Sequence, residues 1–275
     1  MASAEDTPTT GRSVTAKVLA LLASFTPVAQ ELTLSELARR ARVSLPTAHR
    51  RVAELVEWGA LERASDGRYR IGLRLWELAS LAPRGLGLRE AAMPLLEDLY
   101  EITRENVQLA VREGTEVVFV ERITGRDAVP VYTRVGGRFA LHATGVGLVL
   151  LAHAPLDIQQ DVLENSLERY SPKTITEPAA LRAKLADIRR SGFAVSDGQV
   201  TTDALSVAAP ITDPEGTVTA AVSLVVRAAD ARPSALAPAV RSAARSISRA
   251  LNTPGPLPTG PGPLSSSSSA GFRGC

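Results

Sequence analysis

The sequence predicts an α+β fold in two domains, and three observations support this. Apolar residues recur at helical spacing through most of the first hundred positions, where one hairpin signal interrupts them. Beyond residue 105 they alternate with polar residues, as in strands, between short helical stretches. The chain has 275 residues, which is enough to form two cores of ordinary size.

Periodicity and a cap predict the first two helices. Residues 14–25 carry an apolar stripe that recurs every three or four positions. The second helix follows Thr33 or Ser35, either of which is a suitable N-cap. A gap of three residues, 42–44, separates it from the third helix. So short a connection is typical of a helix-turn-helix.

A third helix and a hairpin complete the first domain. Pro46 suits the first turn of that helix, and Gly59 suits the position just after its end. Two β-like runs then flank Asp66-Gly67, a dipeptide typical of tight hairpins. Helix, helix, turn, helix and hairpin is the order of a winged helix-turn-helix. We therefore predict that domain for residues 12–82.

The remaining chain is predicted to form a linker and an α+β domain. A helix at 83–104 links the two domains and is amphipathic enough to pair with a partner chain. Residues 105–252 are predicted to form an antiparallel sheet, including a strand at 129–136, with helices covering one of its sides. Residues 1–11 and 253–275 are polar or low in apolar mass, so we predict a disordered arm and tail.

Composition excludes several classes of protein. The formal net charge is only +2, so any basic surface must be local. Cys275 is the single cysteine, which leaves no internal disulfide and no thiolate metal site. The N-terminus does not resemble a signal peptide, and the apolar runs are too short to span a bilayer. We expect a cytoplasmic protein without a membrane contact, a bound metal or a cofactor.

Local positive charge gathers around the predicted helix-turn-helix. Between Glu36 and Glu54 the chain carries five arginines and no acidic residue. Such arginines usually lie on a solvated helix face, but the hairpin at the right distance along the chain favours DNA binding. In a helix-turn-helix the start of the second helix of the motif, here the third predicted helix, enters the major groove. The predicted contacts on the helix and the turn before it are Thr47, His49, Arg50, Arg51 and Arg42, and those on the hairpin are Arg63, Arg68 and Arg70. The first three helix residues are the expected base contacts, because arginine and threonine side chains can bond base edges.

From Arg12 to about Asn252 the sequence resembles the IclR family of transcriptional regulators. The resemblance rests on segments that occur in that family's order and at its spacings, namely SVTAKVLALLASF, LTLSELARRARVSLPTAHRRVAELVEWGALER, GRYRIGLRLWELA, LHATGVGLVLLA and YSPKTITEPAALRAKLADIRRSGFAVS. It implies an N-terminal winged helix-turn-helix, a linker helix and a GAF-like effector-binding domain with a central antiparallel sheet. It also implies homodimers, or dimers of dimers, that bind pseudo-palindromic operators and respond to a small metabolite, most often as repressors of catabolic operons.

The resemblance also implies an effector pocket between the sheet and the LHATGVG loop. The residues carried over by position are Ala143, Thr144, Gly145, Val146, Ser196, Asp197, Asp203, Ser206 and Ser223. Ser196 stands where an aspartate is common, and Ser206 stands where members that bind small oxoacids have cysteine. These departures favour an organic acid larger or more apolar than glyoxylate, including an aromatic one. In the alternative interpretation, Ser206 and Ser223 are simply small sheet residues and Asp197 belongs to a turn.

Two other functional classes are weighed against a metabolite-responsive repressor. An enzyme would need a catalytic constellation, but the sequence has neither a G-x-S-x-G nor an H-E-x-x-H motif, and His142 is expected to be structural. A DNA-binding dimerisation module without an effector is the second alternative. For the sign of regulation, the alternative to a repressor is an activator of the same family.

Overall fold

The computed structural model describes residues 12–82 and 86–252. The chain divides into two compact units with the boundary between Leu86 and Gly87. The predicted arm at 1–11, the tail at 253–275 and the first residues of the predicted linker lie outside the described residues.

The first unit is a winged helix-turn-helix. Its elements are α1 (Val14–Leu22), α2 (Leu34–Ala41), α3 (Leu45–Trp58), β1 (Leu61–Arg63), β2 (Tyr69–Ile71) and α4 (Leu73–Ala79). Thr33, not Ser35, caps α2 in a capping box with Glu36. Gly59 ends α3 with a φ of +87°, a conformation that suits glycine. The three helices and the hairpin enclose one apolar core that includes Leu21, Leu37, Ala48, Val52 and Leu61.

The second unit is an α+β domain built on a six-stranded antiparallel sheet. Its strands are β3 (Asn106–Glu113), β4 (Glu116–Ile123), β5 (Arg138–Ala140), β6 (Ala194–Asp197), β7 (Ala204–Thr212) and β8 (Val218–Arg227), in the order β5-β4-β3-β8-β7-β6. Its helices are α5 (Leu86–Thr103), α6 (Gly145–Ala152), α7 (Leu156–Glu164), α8 (Pro178–Ser191) and α9 (Pro233–Asn252). The predicted fold class is confirmed.

Helices cover both faces of this sheet, so the prediction of one covered side was wrong. On one face, α5 and α9 bury Leu96 and Val240 against Val207 and Val222. On the other face, α6 and α8 bury Leu148 and other residues against the sheet. The physical reason is visible in β7 and β8, which are apolar almost throughout and therefore need cover on both sides.

The predicted strand at 129–136 was also wrong. On the side of β4 away from β3, the neighbouring strand is β5, which begins only at Arg138. Pro130 has no N–H to offer a neighbouring strand. Side chains of β3 hold the segment instead: Asn106 Nδ2 donates to the Val129 carbonyl at 2.8 Å, and Gln108 Nε2 donates to Thr133 Oγ1 at 2.6 Å. We call residues 129–133 the strap.

Candidate DNA-binding corner and effector pocket

The corner between α2 and α3 exposes three of the predicted DNA contacts. Arg42 ends α2 in the left-handed conformation, with a φ of 52°. The core side of α3 holds Ala48 and Val52, which leaves His49 and Arg50 exposed. The side chains of Arg42, His49 and Arg50 make no hydrogen bond or ion pair with any residue in the described ranges. They are therefore available to an external partner.

Two other predicted contacts on α3 are already engaged within the protein. Arg51 Nη1 contacts both carboxylate oxygens of Glu54, at 2.6 and 2.7 Å, and the arginine side chain is only 15% exposed. Thr47 Oγ1 accepts a hydrogen bond from Ser44 Oγ at 2.9 Å. Arg51 would have to leave Glu54 before it could grip a phosphate with its full charge.

The three hairpin arginines also have partners in the protein. Arg68 lies 3.5 Å from Asp66 and 4.0 Å from Glu36. Arg70 lies 2.9 Å from Glu62. The Arg63 guanidinium is 5.8 Å from the centre of the Tyr69 ring, a cation–π distance. The ion pairs of Arg68 and Arg70 are exposed to water, so these pairings are weak and exchangeable.

A pocket lies on the α6 side of the sheet in the second unit. It contains about 410 Å³ of empty space. Sheet residues form its floor, the strap and the 199–201 loop form two of its walls, and the start of α6 forms a third. The residues that line it are Gln108, Val131, Tyr132, Thr133, Ala143, Thr144, Gly145, Ser196, Gln199, Val200, Thr201, Ala204, Ser206 and Val225.

Five of the nine predicted effector residues line this pocket, namely Ala143, Thr144, Gly145, Ser196 and Ser206. The other four do not. Val146 of α6 is buried in the core between this helix and the sheet, and Ser223 is buried in the sheet, where its Oγ lies 3.4 Å from Gln108 Oε1. Asp197 pairs with Lys173 at 3.0 Å, and Asp203 lies 3.8 Å from Arg227.

The start of α6 offers backbone donors at the pocket wall. Thr144 caps the helix, and its Oγ1 accepts from the Gly147 N–H at 3.0 Å. The N–H groups of Gly145 and Val146 have no acceptor among the described residues. Helix N-termini attract anions through such free donors and through the helix dipole. The pocket therefore combines an anion-binding end with the apolar side chains of Val131, Ala204 and Val225.

Comparisons with known proteins agree with this architecture. Residues 14–65 match the IclR helix-turn-helix domain, and residues 82–249 match the C-terminal domain of the bacterial transcriptional regulator IclR. The chain belongs to the IclR family. It is thus a DNA-binding transcriptional regulator, with an effector domain that binds a small molecule, and the resemblance seen in the sequence is confirmed.

Several relatives of this IclR-family chain cover nearly its whole described length. The regulator BhcR of Paracoccus denitrificans is 37% identical over 226 residues, which are 80% of this chain and 81% of BhcR. An IclR homolog from Microbacterium hydrocarbonoxydans, solved in complex with 4-hydroxybenzoate, is 40% identical with a TM-score of 0.83, covering 87% of this chain and 99% of that one. The IclR of Thermotoga maritima is 28% identical with a TM-score of 0.72, covering 86% and 98%.

Sequence reasoning missed the pocket residues of β3, the strap, the 199–201 loop and β8, and also Ala204 of β7. Gln108 comes from β3 and Thr133 from the strap, 25 positions apart in the sequence. Gln108 is 3% exposed, yet a polar residue in the apolar run NVQLAV was a signal that it faces a site and not the core. Tyr132, which is 75% exposed beside the pocket, carried no comparable signal.

His142 of this IclR-family domain lies beside the pocket loop but does not line the pocket. Its Nε2 is 2.9 Å from the carbonyl oxygen of Glu168, so this nitrogen carries the proton and donates. Burial lowers the pKa of His142, although the bond to the Glu168 backbone and the Glu168 charge oppose the shift. A neutral ring committed to a backbone carbonyl fits a structural role.

In residues 12–82 and 86–252, no group of three or more histidine, cysteine, aspartate or glutamate side chains is placed to hold a metal ion. Within the same ranges, every helix is too short or too polar to cross a bilayer.

Proposed function

We propose that this regulator is a repressor whose effector is an aromatic carboxylic acid, bound in the pocket beside α6. The observation that carries the proposal is the combination of the free N–H group of Gly145, at the pocket wall, with an apolar floor that includes Val225. A carboxylate would accept from the helix N-terminus while an aromatic ring lies on the apolar residues. The Microbacterium hydrocarbonoxydans homolog in complex with 4-hydroxybenzoate supports the ligand class.

Of the residues predicted to contact the effector, Ala143, Thr144, Gly145 and Ser206 are proposed to touch it directly. Gly145 permits the helix start to approach the sheet, which brings its donors over the pocket floor. Ser196 borders the same floor from β6. The acid is bound and released unchanged, because His142, the nearest candidate base, is committed to the Glu168 carbonyl.

On the DNA side, we propose a homodimer, or a dimer of dimers, acting in the cytoplasm on a pseudo-palindromic operator. Arg42, His49 and Arg50 contact the DNA from each corner, and the hairpin arginines contact the flanking backbone. Two corners would fit half-sites whose centres are about 34 Å apart, or a multiple of that distance. Thr47 and Arg51 belong to the same surface, but their bonds with Ser44 and Glu54 make their contribution to binding smaller.

The effector regulates by favouring one of two arrangements of the dimer. A ligand shifts such an equilibrium only through its difference in affinity for the two states. A coupling free energy of about 1–3 kcal/mol would change operator affinity by about 5- to 150-fold. Repression then ends when the acid accumulates, because the acid-bound arrangement fits the operator less well.

The test is a titration of the purified protein against the DNA upstream of its own gene, at fixed salt concentration. We expect saturable binding with a dissociation constant on the order of 10⁻⁸ M, weakened by 4-hydroxybenzoate. Methyl 4-hydroxybenzoate, which lacks the charge, and glyoxylate, which lacks the ring, are the matched control ligands and should have little effect. Equal responses to the acid and its ester would contradict carboxylate recognition, and tighter DNA binding with the acid would contradict release from the operator.

A further inference from the structure

We infer that Gln108 and Thr133 form a second recognition point in the pocket, which selects effectors that carry a hydroxyl group at the end away from the carboxylate. The inference rests on the proposed function, since it needs an acid whose carboxylate lies at the start of α6.

Gln108 and Thr133 are joined to each other at the edge of the pocket. Gln108 Nε2 donates to Thr133 Oγ1 at 2.6 Å, and Ser223 Oγ lies 3.4 Å from Gln108 Oε1. Gln108 is 3% exposed and Thr133 is 8% exposed, yet both line the pocket. Their polar atoms are therefore removed from bulk water and face the ligand space.

The register of the sheet places this pair far from the helix start. Gly145 lies over Ser206 and Ala208 of β7, where an added Cβ would be 2.5 Å from Ser206 Oγ. Gln108 is on β3, and β8 separates β3 from β7. With neighbouring strands about 4.8 Å apart, the backbones of β3 and β7 lie about 10 Å apart, so Gln108 and the start of α6 are at opposite ends of the pocket. Val225 of β8 and Val131 of the strap line the apolar middle.

The hydrogen-bonding groups of Gln108 and Thr133 that have no partner indicate which ligand group binds at this end of the pocket. The Gln108 amide has two N–H bonds, of which one donates to Thr133 and the other is free to donate. Its carbonyl oxygen can accept a second hydrogen bond besides the one from Ser223. The Thr133 hydroxyl proton has no acceptor among the described residues. The pair thus offers both a donor and an acceptor to a ligand. If the oxygen and nitrogen of the Gln108 amide are exchanged, a donor and an acceptor are again left without a partner. A hydroxyl group is the small substituent that can satisfy both.

The strap is held so that Thr133 cannot easily turn away. Arg122 of β4 donates from Nη1 to the Thr133 carbonyl oxygen, and Asn106 Nδ2 fastens the other end of the strap at Val129. Arg122 is opposite Gln108 in the β3–β4 pairing, so both side chains rise from the same side of the sheet. A buried polar site fixed in this way disfavours a ligand that lacks the matching hydroxyl, because its donors would lose water without gaining a partner.

The experiment measures the affinity of the full-length protein for 4-hydroxybenzoate and for benzoate by calorimetry. We expect the wild type to bind 4-hydroxybenzoate about tenfold or more tightly than benzoate. Gln108→Leu should remove most of this preference, because it weakens 4-hydroxybenzoate binding and relieves the cost of burying an unpaired amide against benzoate, whose binding should be equal to or tighter than that of the wild type. Thr133→Val, which keeps the shape of the side chain, should reduce the preference in the same direction and serves if Gln108→Leu does not fold.

Gln199→Leu is the matched control, because Gln199 is a second buried glutamine of the pocket wall. Its Oε1 already accepts from the Ile175 N–H at 3.3 Å, and the variant should keep the preference for 4-hydroxybenzoate. Equal binding of the two acids by the wild type, or equal weakening of both acids in Gln108→Leu and Thr133→Val, would overturn the inference and leave the proposed function standing. Binding of neither acid by a folded wild type would refute the proposed function, and the inference with it.

Discussion

Gly145, the first residue of α6, lies against the side chain of Ser206 on β7. A methyl group added to Gly145 would be 2.5 Å from Ser206 Oγ and 3.1 Å from Ser206 Cβ. Atoms do not approach this closely without repulsion, so the helix start rests directly on the sheet. This contact sets how near the free N–H groups of α6 come to the pocket floor.

Gly145→Ala is therefore expected to destabilise the second unit. The added methyl group overpacks the contact, which typically costs about 1–3 kcal/mol. Urea unfolding of the variant should show the loss, and calorimetry should show weaker binding of 4-hydroxybenzoate because α6 must move away from the floor. Ser206→Gly removes both clashing atoms, so in a double-mutant cycle the two changes should be less costly together than their sum. Additive costs would show that the contact does not limit the position of α6.

Ser206→Asp should abolish the response to the acid. The new carboxylate would lie beside the helix start, accept from its free N–H groups and repel the carboxylate of the effector. Two such charges 4 Å apart repel by about 4 kcal/mol at an effective dielectric constant near 20. Ser206→Asn is the control, since it has nearly the same shape and no charge. We expect calorimetry to show at least about tenfold weaker 4-hydroxybenzoate binding in the aspartate variant than in the asparagine variant. Equal affinities would place the carboxylate elsewhere in the pocket.

His142 predicts an acid-sensitive contribution to stability. Burial lowers the pKa of the folded-state ring below its ordinary value of 6.5, so on acidification the unfolded chain takes up this proton first. The contribution of His142 to the free energy of unfolding is complete above its ordinary pKa, and it is lost as the pH falls through the lowered pKa of the folded state. His142→Gln retains a nitrogen donor for the Glu168 carbonyl but does not titrate. Melting temperatures between about pH 7 and about pH 5 should fall less in this variant than in the wild type.

The exposed His49 provides the control for that experiment. His49→Gln removes a histidine that has no bond within the described residues, so its melting temperature should follow the wild type over the same range. A His142→Gln variant that lost stability with acid as steeply as the wild type would show that carboxylates, and not this ring, produce the sensitivity.

Local chemistry made the first unit predictable. The caps and breaks that define it, Thr33, Pro46, Gly59 and Asp66-Gly67, act within a few residues of themselves. The cover on both faces of the sheet was not predictable in this way, because a run of apolar residues such as VSLVV in β8 does not say how many of its sides are buried. The strap alternates like a strand, and only the absent N–H of Pro130 argued against pairing.

The pocket residues likewise fall into those that are neighbours in the chain and those that only the fold brings together. Thr144 and Gly145 are neighbours in the chain, so a resemblance over one short segment was enough to nominate them. Gln108 and Thr133 meet only because the β3–β4 pairing folds the strap back over β3. Contacts of that kind depend on strand register, which a single sequence does not determine.

The two adjacent arginines of α3, Arg50 and Arg51, are expected to contribute unequally to operator binding. Arg50 is exposed and unpaired within the described residues, whereas Arg51 holds Glu54 with two contacts and is largely covered. Arg50→Ala should therefore weaken operator binding by about 1–3 kcal/mol, and a loss confined to operators with one particular base pair would indicate base contact. Arg51→Ala should cost less, because Glu54 holds the Arg51 guanidinium and the variant therefore loses positive charge without losing a direct DNA contact. Glu54→Gln tests that reason, since freeing Arg51 should strengthen binding to every DNA sequence and steepen its salt dependence. Equal losses for Arg50→Ala and Arg51→Ala in fluorescence titrations would mean that the Arg51–Glu54 pair opens on DNA.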